Sequence, residues 1–181
     1  MQHVFVINEY AGKGGSAAAI RRELQALDGQ ISYTVYCTKN PTDATAFVRA
    51  YCAEHTEPVR FYACGGDGTL QEVAEGLLGY PHASMTAYAC GSGNDFVKYY
   101  GGKERFLDIA ALTEAPERPI DIITLSDGHH AVNACHFGFD SAVAATMNAV
   151  RHHKIFGGKR AYPTGVLKAL FCNMSTRCTV T

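Results

Sequence analysis

The sequence predicts an α/β fold: a doubly wound, mostly parallel sheet that gives way near residue 118 to the start of an antiparallel, β-rich second part. Three observations carry this. Short apolar or β-branched runs alternate four times with stretches whose apolar residues recur every three or four positions. Three of those runs end in glycine-rich turns, where parallel sheets bind ligands at their carboxyl ends. Beyond residue 118 the pattern changes to a hairpin signature centred on Asp127-Gly128.

Composition sets outer limits. The 181 residues are 47% hydrophobic with a formal net charge of −1, which suits a buried core and argues against wholesale disorder. There is no basic excess to neutralise nucleic-acid phosphates, so no nucleic-acid partner is expected. No apolar run reaches the ~20 residues of a membrane span. The run Val4-Phe5-Val6-Ile7 is too short for a secretory signal, and a cytoplasmic location is expected. Seven cysteines without a C-x-x-C pair read as small, reduced core residues. The pairs His129-His130 and His152-His153 read as solvated rather than metal-binding, because adjacent side chains diverge on a strand.

Val4-Phe5-Val6-Ile7 has the all-apolar pattern of a strand covered on both faces. After it comes the turn Ala11-Gly12-Lys13-Gly14-Gly15-Ser16, then a helix striped by Ile20, Leu24 and Leu27. The turn is of the phosphate-cradling kind but is not a Walker A loop, since Gly14 follows Lys13 where Ser or Thr is required. Flexible linkage explains its glycines nearly as well. Residues 33–37 form the second strand. Asn40 as N-cap and Pro41 at the first helical position then start a helix striped by Ala44, Phe47, Val48 and Tyr51.

Residues 59–64 form the third strand, which runs into Gly65-Gly66-Asp67-Gly68-Thr69 and a helix carrying Leu70, Val73, Ala74 and Leu77. Glycine lets backbone approach a ligand there, and the free N–H groups of a helix start favour phosphate. A carboxylate beside phosphate requires a cation between them, so Asp67 suggests Mg²⁺, held directly or through water. The competing reading is a plain turn with Asp67 capping the helix. Residues 84–89 form the fourth strand and lead into Gly91-Ser92-Gly93-Asn94-Asp95. Phe96 stands where a dinucleotide fingerprint needs its third glycine, so that motif fails. Asn94 and Asp95 suit a nucleotide and a phosphate-bound cation, with an Asx turn as the alternative.

A helix is expected over residues 104–112 and a linker over 114–119. A hairpin follows from residues 120–125 and 130–135, then helices from Gly138 to residue 150 and over 162–174, and a last strand over 176–181.

Gly65-Gly66-Asp67-Gly68-Thr69, with Gly91-Ser92-Gly93-Asn94-Asp95-Phe96 some twenty residues later, resembles the catalytic domain of the diacylglycerol kinase family, which includes sphingosine kinases and bacterial lipid kinases. The first element alone is shared with NAD kinases and is similar to a phosphofructokinase loop; the second discriminates. Asn8 and Gly12 resemble the family's Asn-Pro-x-Ser-Gly turn, and Thr38 with Asp43-Ala44 its second strand-to-helix junction. Ile120-Asp121-Ile122, Asn133 and Gly138-Phe139-Asp140 resemble the start of its second domain. Glu9, Ala11, Glu75 and Ala89 depart from the usual residues, and Glu9 is expected to put negative charge near the first phosphate loop.

The resemblance implies an NAD kinase-like α/β nucleotide-binding domain over residues 1–117 and an incomplete β-sandwich-type domain over 118–181, as in the N-terminal portion of a longer lipid kinase. It implies ATP-dependent transfer of the γ-phosphoryl group to a hydroxyl of diacylglycerol or a related lipid at a membrane surface, with Mg²⁺. Asp67 and Asp95 are then the catalytic, Mg²⁺-managing carboxylates. Asn8, Gly12, Lys13, Thr38, Gly65, Gly66, Gly68, Thr69, Gly91, Ser92, Gly93 and Asn94 are the nucleotide site. An NAD kinase-like enzyme and a non-catalytic nucleotide-binding fragment are the alternatives. Unpaired strand edges after residue 118 predict self-association. The Ile155-Phe156-Gly157-Gly158 and 166–171 stretches are candidates for peripheral membrane docking, though they read more readily as core.

Overall fold

The computed structural model describes residues 1–12, 15–150, 153 and 160–172. They fall into two compact units, Met1–Asn133 and a second from Ala134 onward.

In the first unit, β1 (Gln2–Ile7), β2 (Tyr33–Cys37), β3 (Val59–Gly65) and β4 (Ala83–Ala89) form a parallel sheet in the order β2-β1-β3-β4. Ile7 lies opposite both Cys37 and Cys64, and Gly65 opposite Ala89, so the turns after all four strands emerge along one edge. Strand order reverses between β1 and β3, the place where an open α/β sheet leaves a crevice.

Side-chain alternation explains the all-apolar strands. Val4, Val6, Phe61 and Ala63 pack on one face against α2 (Asp43–Glu54) and α3 (Asp67–Leu77), through Ala44, Val48, Leu70 and Val73. Phe5, Ile7, Tyr62 and Cys64 face the other way, against Ile20 and Leu24 of α1 (Ser16–Ala26) and against Ile109 and Leu112 of a helix near residue 110. Both faces are therefore dry, as parallel sheets require. Gly76 lets α2 and α3 approach closely: a Cβ there would lie 2.7 Å from Val48 Cβ.

Two helix starts differ from expectation. α2 begins at Asp43, not Pro41, and Asn40 is not its N-cap. The Asp43 carboxylate instead accepts the Lys39 N–H at 2.8 Å and the Tyr36 hydroxyl at 3.0 Å, and Thr42 has φ +70°, so residues 39–42 make a turn of their own. The helix expected over 104–112 is a 3₁₀ turn, Lys103–Phe106, following α4 (Asp95–Tyr99), and then a separate α5 (Ile109–Glu114). Asp108 breaks it by capping α5, accepting the Ala111 N–H at 3.0 Å. Buried Arg60 donates to the carbonyls of Leu112 and Thr113 at 2.8 and 3.1 Å, which satisfies the far end of α5.

The hairpin forms around Gly128, but its strands, β5 (Ile123–Thr124) and β6 (His130–Ala131), have two residues each. α3 takes the place of a longer ladder. The Gln71 side chain donates to His130 O at 2.7 Å and accepts the Val132 N–H at 2.9 Å. His130 Nδ1 lies 3.2 Å from Glu75, and His129 is exposed.

The second unit pairs α6 (Phe139–Val150) with α7 (Ala161–Cys172). Val143 and Thr146 of α6 and Ala161 and Ala169 of α7 are buried, whereas Leu167, Leu170 and Phe171 stay exposed. The strand expected over 176–181 and the 155–158 stretch lie outside the described residues, as does His152.

Candidate nucleotide-binding site

Three turns close on one another at the carboxyl edge of the sheet. The Asn8 N–H donates to Cys64 O at 3.0 Å, joining the ends of β1 and β3. Its side chain spans the crevice: Nδ2 donates to Thr69 Oγ1 at 3.2 Å, while Oδ1 accepts the Tyr10 N–H at 3.0 Å. The N–H groups of Cys90 and Gly91 both donate to Gly65 O, at 3.1 and 3.0 Å.

The glycines are of two kinds. A Cβ at Gly65 would overlap the Thr69 side chain, one at Gly91 would fall on Gly66 Cα, and one at Gly12, where φ is +68°, would meet Cys90 O. These glycines let turn pack on turn. Gly68 differs, since a Cβ there would find nothing within 4 Å. Gly66 supplies no side chain to cap α3, so the first N–H groups of that helix point outward, a setting that favours an anion.

Asp67 opens α3, and its Oδ1 accepts the Asp95 N–H at 2.7 Å. Gly93 sits under both carboxylates: a Cβ there would lie 2.7 Å from Asp67 Oδ2 and 3.8 Å from Asp95 Oδ2. Asp95 Oδ1 pairs with Lys98 Nζ one turn along α4, and this hydrogen bond raises the pKa of the lysine. Two carboxylate oxygens near one side-chain-free position are a donor set of the kind Mg²⁺ accepts, since it takes one or two carboxylates and completes its shell with phosphate and water. No group of three or more His, Cys, Asp or Glu suited to an all-protein metal site occurs among the described residues.

Asn94 is buried with φ +52°, and its amide is engaged within its own turn. Oδ1 accepts the Gly91 N–H at 3.1 Å; Nδ2 donates to Gly91 O at 2.8 Å and to Ala89 O at 3.5 Å. It shapes the turn from inside. Ser92 and Gly93 are exposed, and Lys13 lies outside the described residues.

A cleft of about 440 Å³ opens between the turns after β1 and β2 and the start of α3. Asn8, Thr38, Gly68 and Thr69 line it, together with Tyr10, Lys39, Asn40, Pro41 and Glu72. Its volume falls within the range of small-molecule sites. Asp67 connects the two halves: it adjoins Gly68 in the chain, while its carboxylate holds Asp95. Sequence reasoning missed Tyr10, Lys39, Glu72 and Lys98 as site neighbours, and took Asn40 and Pro41 only as a helix start. Helical spacing offered a signal for two of them, since Glu72 lies four residues after Gly68 and Lys98 three after Asp95. The negative charge of Glu9 is partly answered by Arg21, 3.5 Å away, although both are half exposed and the pair is weak. A second groove, about 1500 Å³, follows the free edge of β4 and is lined by apolar residues including Leu70, Met85, Phe96 and Phe106.

Residues 2–125 match the diacylglycerol kinase catalytic domain. The chain belongs to that family. Among curated relatives, the protein named "Probable lipid kinase YegS-like" from Pseudomonas aeruginosa strain UCBPP-PA14 is 36% identical over 107 residues, covering 59% of this chain and 35% of the relative. Its namesake from Pseudomonas fluorescens strain Pf-5 is 33% identical over 126 residues, covering 68% and 40%. A crystal structure of a diacylglycerol kinase from Bacillus anthracis strain Sterne superposes with a TM-score of 0.56 at 21% identity, over 71% of this chain and 47% of that one; this likeness concerns the fold. The chain thus spans a little over a third of the length of these curated relatives. No helix among the described residues is long and apolar enough to cross a membrane.

Proposed function

We propose that this chain carries the nucleotide- and metal-binding half of an ATP-dependent lipid kinase, which moves the γ-phosphoryl group of ATP to a lipid hydroxyl and releases ADP. The observation that carries the reading is the joint between Asp67 and Asp95. One carboxylate oxygen fixes the start of α4, and the Oδ2 atoms of both residues lie near Gly93, beside a helix N-terminus with no side-chain cap. Phosphoryl transfer requires positioning and charge neutralisation more than covalent help from the protein. In this reading the phosphates lie against Gly68, Thr69 and the first turn of α3. Gly12, Gly65, Gly66 and Gly91 keep the surrounding turns packed, and Asn8 and Asn94 hold those turns in shape. Thr38, Ser92 and Gly93 complete the surroundings, and Lys13 remains a candidate from the sequence alone. Asp67 and Asp95 would hold Mg²⁺, which when bound offsets charge on the phosphates. Lys98 restrains Asp95 by pairing with its other oxygen.

A lipid acceptor is supported by the family and by the names of the relatives. In this reading a lipid acceptor would be met at a membrane surface. The test is transfer of label from γ-labelled ATP with Mg²⁺ into a mixed lipid extract, with the 181-residue chain and its Asp67→Asn variant side by side. Label in lipid that disappears in the variant is the expected result. ATP binding without label in lipid would leave this chain the nucleotide-binding half without transfer of its own, and failure to bind ATP would overturn the reading.

A further inference from the structure

We infer that Tyr10 is the platform on which the nucleotide's base stacks, an inference that rests on the cleft being the nucleotide site. Tyr10 is 86% exposed, so its ring contributes almost nothing to the core, yet it lines the 440 Å³ cleft. Its backbone is tied down. The Tyr10 N–H donates to Asn8 Oδ1 at 3.0 Å, the Ala11 N–H closes the turn onto Asn8 O at 3.1 Å, and Asn8 is itself bonded to Cys64 and Thr69. A free aromatic face on a fixed backbone has only two side-chain torsions to order when a ligand arrives.

The other lining residues sharpen the assignment. Asn8, Thr38, Gly68 and Thr69 offer polar groups or bare backbone, which suit phosphate and sugar oxygens. A base needs a flat apolar partner, and among the lining residues only Tyr10 and Pro41 carry a ring. Pro41 is also held, since Lys39 is bonded to Asp43 and Thr38 to Ile7 O at 2.9 Å. Stacking scales with ring area and tolerates any base, so this site favours purine over pyrimidine nucleotides without reading purine edges.

Titration calorimetry on the full chain with Mg²⁺ and ATP, UTP or inorganic tripolyphosphate separates the base from the phosphates. Tyr10→Ala is expected to weaken ATP binding about tenfold while leaving tripolyphosphate unchanged. Tyr10→Phe keeps the ring face and is expected to hold ATP within about twofold of the parent. UTP binds the parent more weakly than ATP, and that gap narrows in Tyr10→Ala. Because the ring is exposed, the variants should melt with the parent. Unchanged ATP affinity in Tyr10→Ala, with the parent binding ATP, overturns the role of Tyr10 alone. A parent that binds neither ATP nor tripolyphosphate overturns the nucleotide site, and the inference with it.

Discussion

Asp67 Oδ1 accepts the backbone N–H of Asp95 at 2.7 Å, so a carboxylate at the start of α3 fixes the start of α4. That single bond separates two roles for Asp67. Asp67→Asn keeps an acceptor oxygen but loses the charge, whereas Asp67→Ala loses both. Phosphoryl transfer is expected to fall by about 10²–10³-fold in each. Thermal unfolding should distinguish them, with Asn near the parent and Ala about 1 kcal/mol less stable. Transfer at parental rates by Asp67→Asn would mean that the oxygen, not its charge, is what matters.

The parts legible in the sequence were those fixed locally. An all-apolar run such as Val4-Phe5-Val6-Ile7 fits only a strand with both faces covered, and the alternating clusters around Phe5 and Val6 bear that out. Three-dimensional competition was not legible. Asn40-Pro41 reads as a helix start, but the Asp43 carboxylate captures the Lys39 N–H and moves the start to residue 43. Residues 104–112 read as one helix, yet Asp108 caps α5 only by ending the turn before it. The same holds within the site. The glycines were found by composition, but which of them face a neighbouring turn and which face open space depends on contacts from chain segments tens of residues away.

Gly91 and Gly68 should therefore respond oppositely to alanine. In Gly91→Ala the new methyl falls on Gly66 Cα and within 2.8 Å of Asn94 Oδ1, so two turns must separate, at a cost of about 1–3 kcal/mol. Gly68→Ala meets open space in the first turn of α3 and should raise stability by up to about 1 kcal/mol through helix propensity. Its methyl nevertheless projects where phosphate is proposed, and ATP affinity should drop about tenfold. Denaturant melts paired with ATP titrations decide the matter; unaltered ATP affinity in a stabilised Gly68→Ala would move the phosphates elsewhere.

Asn94 has two jobs that substitution can separate. Alanine removes its amide hydrogen bonds and must also adopt φ near +52°, so Asn94→Ala should lose about 2–4 kcal/mol. Glycine accepts that backbone angle without strain, so Asn94→Gly should lose about half as much. Equal losses in urea unfolding would show that the conformation contributes little and the hydrogen bonds carry the turn.

His3 gives the stability a pH dependence of predictable sign. It is buried on β1, and its Nδ1 lies 2.8 Å from the Tyr62 hydroxyl. Burial, then the Arg60 guanidinium and the N-terminal ammonium, hold its pKa below the ordinary 6.5, with Glu114 opposing them. Between the folded pKa and 6.5 the unfolded chain binds more protons than the folded one, so stability rises with pH across that window. The contribution is complete above 6.5 and is lost as pH falls toward the folded value. His3→Gln retains a polar side chain that does not titrate. Its unfolding free energy should run parallel to the parent's above 6.5, and the gap between the two should shrink at lower pH as the parent alone loses this contribution. Urea unfolding from about pH 5 to about pH 8 measures it, and two curves parallel throughout would place the titration in another group.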